Sequence, residues 1–156
     1  MKRWINLILV IIAGTVLASC TSKKDPRFDL IEQTIKSEQF RDFFDGSRVI
    51  FIVPNAGCEG CITTAERFVK ENAILTPEIR TVFTGSTSKK SLRLKLGDDT
   101  YSHASVWIDK ENLFYRGDLV TMYPSIVYHD GESVQKIAYI SPEYSNSLDS
   151  LISLYP

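Results

Sequence analysis

The chain has 156 residues, 18 basic against 19 acidic side chains, a formal net charge of −1 and a hydrophobic fraction of 44%. That is enough apolar material for one domain with a full core and too little length for two of ordinary size. A near-neutral balance lacks the basic excess that nucleic-acid binding needs, so nucleic acid is not expected among the partners.

The first segment in chain order concerns targeting. Lys2 and Arg3 precede an apolar run from Ile5 to Val16, closed by Leu17-Ala18-Ser19-Cys20. The run is short for a permanent membrane helix, which predicts a cleaved signal over residues 1–19. Leu-Ala-Ser-Cys resembles the lipobox of bacterial lipoproteins. That resemblance implies that Cys20 becomes the lipid-bearing first residue, with several acyl chains giving stable membrane anchoring. Residues 20–27 then read as a polar, lipidated tether carrying Lys23 and Lys24. Loss of Lys2 and Arg3 lowers the 18 basic residues to 16 against 19 acidic ones, a mature net charge of about −3.

Residues 28–156 read as one α/β domain without repeats. A first helix is predicted from Phe28 to Phe44, with Leu30, Ile31, Ile35, Phe40, Phe43 and Phe44 as its apolar stripe and Asp45-Gly46 as its stop. Val49 to Val53 is apolar at every position, as expected of a central strand covered on both faces, and Pro54 ends it. A second helix follows, on which Ile62, Ala65, Phe68 and Val69 share a face with Cys61. Thr63, Glu66, Arg67 and Lys70 point away, and Asn72 closes the helix. Ile79 to Thr84 is the next strand. Ser88 to Leu96 is a short helix with Leu92 and Leu96 inward and a basic face of Lys89, Lys90, Arg93 and Lys95, read as a solvated surface or a docking patch for an acidic partner. Short strands are predicted at Ala104–Ile108 and Leu113–Tyr115 around Asp109-Lys110-Glu111-Asn112. A hairpin joins Ser125–Tyr128 to Val134–Ile140 through His129-Asp130-Gly131-Glu132. Ser141-Pro142-Glu143 starts a closing helix whose buried stripe is Leu148, Leu151, Ile152 and Tyr155.

The chemistry sits at Cys58-Glu59-Gly60-Cys61, placed between the apolar strand and the helix that follows. With Cys20 assigned to lipid, Cys58 and Cys61 are the only cysteines left, an even pair one helical turn apart. In an oxidising envelope such a pair serves as a dithiol–disulfide couple. A helix N-terminus beneath the first sulfur favours its thiolate, the attacking form.

Strand, CxxC and helix, together with Tyr123-Pro124-Ser125-Ile126-Val127-Tyr128 running into Asp130-Gly131, resemble the thioredoxin superfamily over roughly residues 48–156. The long separation of Cys61 from Pro124 is similar to that of membrane-tethered envelope relatives such as the thioredoxin-like reductases of cytochrome c maturation. The resemblance implies a central mixed β-sheet flanked by helices on both faces. It also implies a cis-proline loop at Pro124, with Tyr123 in the substrate groove; an ordinary strand-start proline is the alternative. Four positions depart from the family pattern. Gly57 stands where cytosolic thioredoxins carry tryptophan, Glu59-Gly60 replaces Gly-Pro, and the buried proton-relay acid falls at Ile52, which is apolar.

The mechanism expected from this arrangement has Cys58 as nucleophile and Cys61 as resolving thiol. Glu59 tunes the pair, its negative charge opposing ionisation of Cys58 and so favouring a reductase or isomerase over an oxidase. No cofactor and no metal are expected. The partners expected are disulfide-containing envelope proteins, a membrane or periplasmic electron donor, and the lipid membrane held through Cys20, with the domain facing the periplasm in preference to the cell surface. Two other readings stay open. Two thiolates suit copper(I), with His103 and His129 the only histidines to complete a metal site. Alternatively, the CxxC disulfide only locks the helix start of a non-catalytic binding module.

Overall fold

The structure, a computed structural model, describes residues 26–85, 88–119, 121–144 and 146–154. The expected signal, Cys20, most of the tether and Tyr155 lie outside the described residues. Pro26 opens α1 (Pro26–Lys36), where its missing N–H costs nothing, and Ile31 and Ile35 turn to the core. The helix expected over residues 28–44 is not continuous. It stops at Lys36 and resumes as α2 (Arg41–Phe44). The Ser37 hydroxyl turns back to donate to the Thr34 carbonyl at 2.7 Å, while the Phe40 amide bonds the Ser37 carbonyl at 3.0 Å. The redirected chain buries Phe40 among Phe44, Trp107 and Phe114, with ring centroids 5.7, 5.3 and 5.3 Å away. Aromatic packing outweighs helical periodicity here.

The remaining elements are β1 (Val49–Pro54), α3 (Glu59–Asn72), β2 (Ile79–Thr84), α4 (Lys89–Leu96), α5 (Asp98–Tyr101), β3 (Val106–Ile108), a 3-10 turn at Gly117–Leu119, β4 (Ser125–His129), β5 (Val134–Tyr139) and α6 (Ser147–Leu154). They build a five-stranded mixed sheet in the order β3-β2-β1-β4-β5. β1, β2 and β3 run parallel, whereas β4 is antiparallel to β1 and β5 to β4. All six residues of β1 are buried, as its unbroken apolar sequence requires of a central strand.

Alternation along β1 sorts the core into two layers. Val49, Phe51 and Val53 pack under α3, α4 and α6 with Ile62, Ala65, Phe68, Val69, Leu92 and Leu151. Ile50 and Ile52 face α1 and α2, with Ile31, Ile35, Phe40, Phe44 and Phe114. Burial of Ile62, Phe68 and Val69 contributes about 1.5–3 kcal/mol each and fixes α3 on the sheet. The result is an α/β sheet flanked by helices on both faces, compatible with a thioredoxin-like fold.

Two further expectations are corrected. Leu113–Tyr115 forms no strand, because the amides of Leu113 and Phe114 donate to the buried Asp109 carboxylate at 2.9 and 2.8 Å instead of to a neighbouring strand. The closing helix starts at Ser147, not at Ser141. The intervening chain makes turns, with Tyr144 N–H on the Ser141 carbonyl, and the Ser147 hydroxyl docks on the Tyr139 carbonyl at 3.0 Å. Leu148 and Leu151 are buried as expected, but Ile152 is half exposed.

Candidate redox site

β1 and β2 end side by side at Pro54 and Thr84, and the Asn55 amide still donates to the Thr84 carbonyl at 3.0 Å. The chain leaves this edge through Asn55–Gly57 and enters α3 with Cys58 as its N-cap. Cys58 and Cys61 are joined in a disulfide with Cα atoms 5.2 Å apart, inside the range that a bridge accommodates. The Cys61 amide donates to the Cys58 sulfur at 3.4 Å. Cys58 is half-buried, while Cys61, one turn into the helix, is only 7% exposed. Glu59 is exposed in the first turn and Gly60 is open, since nothing lies within 4 Å of a Cβ placed on it.

The chain facing the pair comes from the segment before β4. The Cys58 amide donates to the Met122 carbonyl at 2.8 Å. Gly57 makes this approach possible. Its φ is +139°, and a Cβ there would stand 2.2 Å from the Met122 oxygen and 2.7 Å from its Cα. A side chain at Gly57 is excluded by another backbone, not by a movable side chain. Glycine just before the first cysteine, where the family pattern has tryptophan, therefore has a local steric cause.

Tyr123 is half-buried and packs on the core layer that holds both cysteines. Pro124 is buried at the start of β4, and its carbonyl accepts the Ile140 amide at 2.9 Å. No peptide bond among the described residues is cis, so the Tyr123–Pro124 bond is trans and the expected cis turn is corrected. Trans is the intrinsic preference by about 0.5–1 kcal/mol, and Pro124 serves as a strand-start proline. The carbonyl that meets the cysteine loop is that of Met122, two residues earlier.

Sequence reasoning missed Met122 and Tyr115, and gave Gly57 only as a departure from the family pattern. Met122 is 58% exposed on the rim of the site. Tyr115, also partly exposed, lies across Gly85, where an added Cβ would be 2.9 Å from its ring and 3.5 Å from the Asn55 nitrogen. The glycine ahead of the cysteine was the one signal available. Met122 carries none, because its role belongs to its backbone.

Neither histidine joins the cysteines. The His129 amide is bonded to the Arg48 carbonyl, at the end of β1 opposite to the disulfide. The strand between spans roughly 17 Å. His103 Nδ1 lies 2.7 Å from the Ser105 hydroxyl, which in turn donates to the Ala73 carbonyl at the far end of α3. Among the described residues no group of three or more His, Cys, Asp and Glu side chains is placed to hold a metal ion. Glu66, expected to be exposed, instead has a side chain only 12% exposed and contacts Lys95 Nζ through both carboxylate oxygens, at 2.8 and 2.9 Å. The basic face of α4 thus supplies one partner internally.

No protein-family model, curated protein or solved structure matches this chain. A helix N-cap cysteine bridged to a buried cysteine in an α/β sheet defines the class that the fold and site support: a domain whose CxxC disulfide is redox-active or structural. No helix among the described residues is long and apolar enough to cross a membrane.

Proposed function

We propose that the chain is a thioredoxin-like thiol–disulfide oxidoreductase of the bacterial envelope, tethered by lipid on Cys20 and acting as a reductase or isomerase. The observation that carries this reading is the asymmetry of the pair. Cys58 is the half-buried, accessible sulfur at a helix N-cap, and Cys61 is the covered one behind it. The Cys61 N–H aimed at the Cys58 sulfur and the partial positive charge of the α3 N-terminus both favour a thiolate on Cys58.

In the reducing direction the Cys58 thiolate attacks a substrate disulfide, forming a mixed disulfide and expelling one substrate thiolate. The Cys61 thiolate then attacks the Cys58 sulfur, closing the Cys58–Cys61 bridge and releasing the second substrate thiolate. Two electrons pass to the substrate, and an envelope dithiol returns the pair to its reduced form. Glu59, exposed in the first turn, opposes thiolate formation and inclines the couple towards reduction. The substrates on this reading are disulfide-containing envelope proteins, and the donor is a membrane or periplasmic dithiol protein.

One observation favours a structural bridge instead: the Cys58 amide is fastened to the Met122 carbonyl, so the disulfide stands within a pinned loop. Trapping decides between the two. A Cys61→Ser variant in the native envelope is expected to form reductant-sensitive adducts in non-reducing gels, and these disappear when Cys58 is also replaced. Absence of adducts under every oxidation condition overturns the oxidoreductase in favour of the structural bridge.

A further inference from the structure

A cleft lies at the end of the sheet opposite to the disulfide. It has a volume of about 540 Å³ and opens between the end of α1, α2, the turn into β1 and the β4–β5 turn. That is the size of a pocket for a small organic molecule. Its lining carries three cations, Lys36, Arg41 and Arg48, drawn from three separate segments. None of these side chains makes a hydrogen bond or an ion pair with a described residue.

The floor of the cleft, by contrast, is fully engaged. The buried Ser47 hydroxyl donates to the Phe44 carbonyl at 2.7 Å, so at 3.0 Å it accepts from His129 Nε2–H. His129 Nδ1 accepts the Gly131 amide at 3.2 Å. That pattern needs a neutral ring. Burial holds His129 below its ordinary pKa; Asp130 opposes this, and Arg48 adds to it. The Asp130 carboxylate is occupied by the amides of Glu132 and Ser133 and by Gln135. Asp45 is then the single carboxylate of the lining without such a bond.

Lys36, Arg41 and Arg48 outnumber the two carboxylates of the lining, Asp45 and Asp130, so the cleft carries a net positive charge that an anion complements. Two guanidinium groups offer the forked donors that oxyanions accept. Ile35 and Phe44 give one wall an apolar surface for an organic portion. We propose that this cleft binds a small organic phosphate through Lys36, Arg41 and Arg48. A soluble molecule and a phospholipid headgroup both present this phosphate chemistry, and the chemistry recognised is the same. The proposal is independent of the disulfide chemistry at the other end of the sheet.

The test is titration of the full-length chain, in maltoside micelles, with glycerol 3-phosphate. The amide resonances of Gly46, Ser47, Arg48 and Gly131 are followed, with sodium chloride at matched ionic strength as control. Saturable shifts confined to these residues are expected. An Arg41→Gln/Arg48→Gln variant, which changes only solvent-facing groups and keeps its melting temperature, should weaken binding at least tenfold. Shifts that follow ionic strength alone, or an affinity unchanged in the variant, overturn the proposal. Equal binding of succinate overturns the phosphate assignment. Flotation of the chain with phosphatidylglycerol but not phosphatidylcholine vesicles, lost in the arginine variant, assigns the phosphate to a headgroup. Glycerol 3-phosphate binding without such flotation assigns it to a soluble ligand.

Discussion

Gly57→Ala probes the contact that sets the cysteine loop against the Met122 segment. The added Cβ would stand 2.2 Å from the Met122 carbonyl oxygen and 2.7 Å from its Cα, so no rotamer change relieves the overlap. One consequence is backbone strain, since φ is +139°, a region that costs an L-residue about 1–3 kcal/mol. The other is separation of the two segments, which breaks the 2.8 Å bond from the Cys58 amide to Met122, a loss of about 0.5–1.5 kcal/mol net. Some of both gives a destabilisation of roughly 2–4 kcal/mol. In a domain of this size each kcal/mol moves Tm by about 3–5 °C, so a fall of roughly 6–20 °C is expected. Thermal unfolding of the oxidised full-length chain, read by circular dichroism, measures it. Gly60→Ala is the internal control. That position is helical and open, and alanine there should be neutral or stabilising by about 0.5–1 kcal/mol. Equal melting temperatures for the two variants would refute the close approach and, with it, the assignment of Met122 to the site.

Three other perturbations test the framework. Asp109→Asn keeps the shape but leaves one acceptor oxygen for the Thr84 hydroxyl and the amides of Leu113 and Phe114. A loss of about 2–4 kcal/mol is expected, with faster hydrogen exchange at Leu113 and Phe114, and unchanged exchange there would contradict the carboxylate anchor. The His129 ring titrates below its ordinary value in the folded protein because burial penalises the cation. The unfolded chain therefore binds the proton first as pH drops. Stability is full above about pH 6.5 and declines below it until the folded ring titrates. Urea unfolding between pH 7.5 and 5 should show this slope in the wild type and lose it in His129→Gln. A slope that persists in the variant would assign it to other groups. Ser47→Ala, which strands the Nε2–H donor, should cost about 1–3 kcal/mol at neutral pH.

Much of the architecture was legible because local pattern and tertiary demand agree. The unbroken apolar run of β1 has no arrangement other than burial on both faces, and it is the central strand. Ile79 to Thr84 forms β2 with the boundaries read from the sequence, since Gly85 ends it sharply. On α3 the stripe of Cys61, Ile62, Ala65, Phe68 and Val69 is buried as its spacing requires. The α/β class and the position of the cysteine pair at a helix start followed from these runs. Elsewhere a non-local partner decided. Phe40 breaks the first helix to reach Trp107 and Phe114, residues far along the chain that no periodicity connects to it. Asp109 captures two amides that a strand would have used, and a β-rich composition at Leu113–Tyr115 gives no warning of that.

The sequence by itself determined the chemistry available at the site: two thiols at helical spacing, the order in which a helix start and a buried turn present them, and an acidic residue between. Those are properties of neighbouring residues, and covalent connection holds them together in any fold that keeps the helix. Tertiary structure alone decided what faces the pair. Met122 reaches Cys58 through a carbonyl, a group that every residue carries, so no side-chain signal could announce it. The cationic cleft is equally invisible along the chain. Lys36, Arg41 and Arg48 become neighbours of His129 only because β4 lies antiparallel to β1 and brings the hairpin turn back beside the strand's first residue.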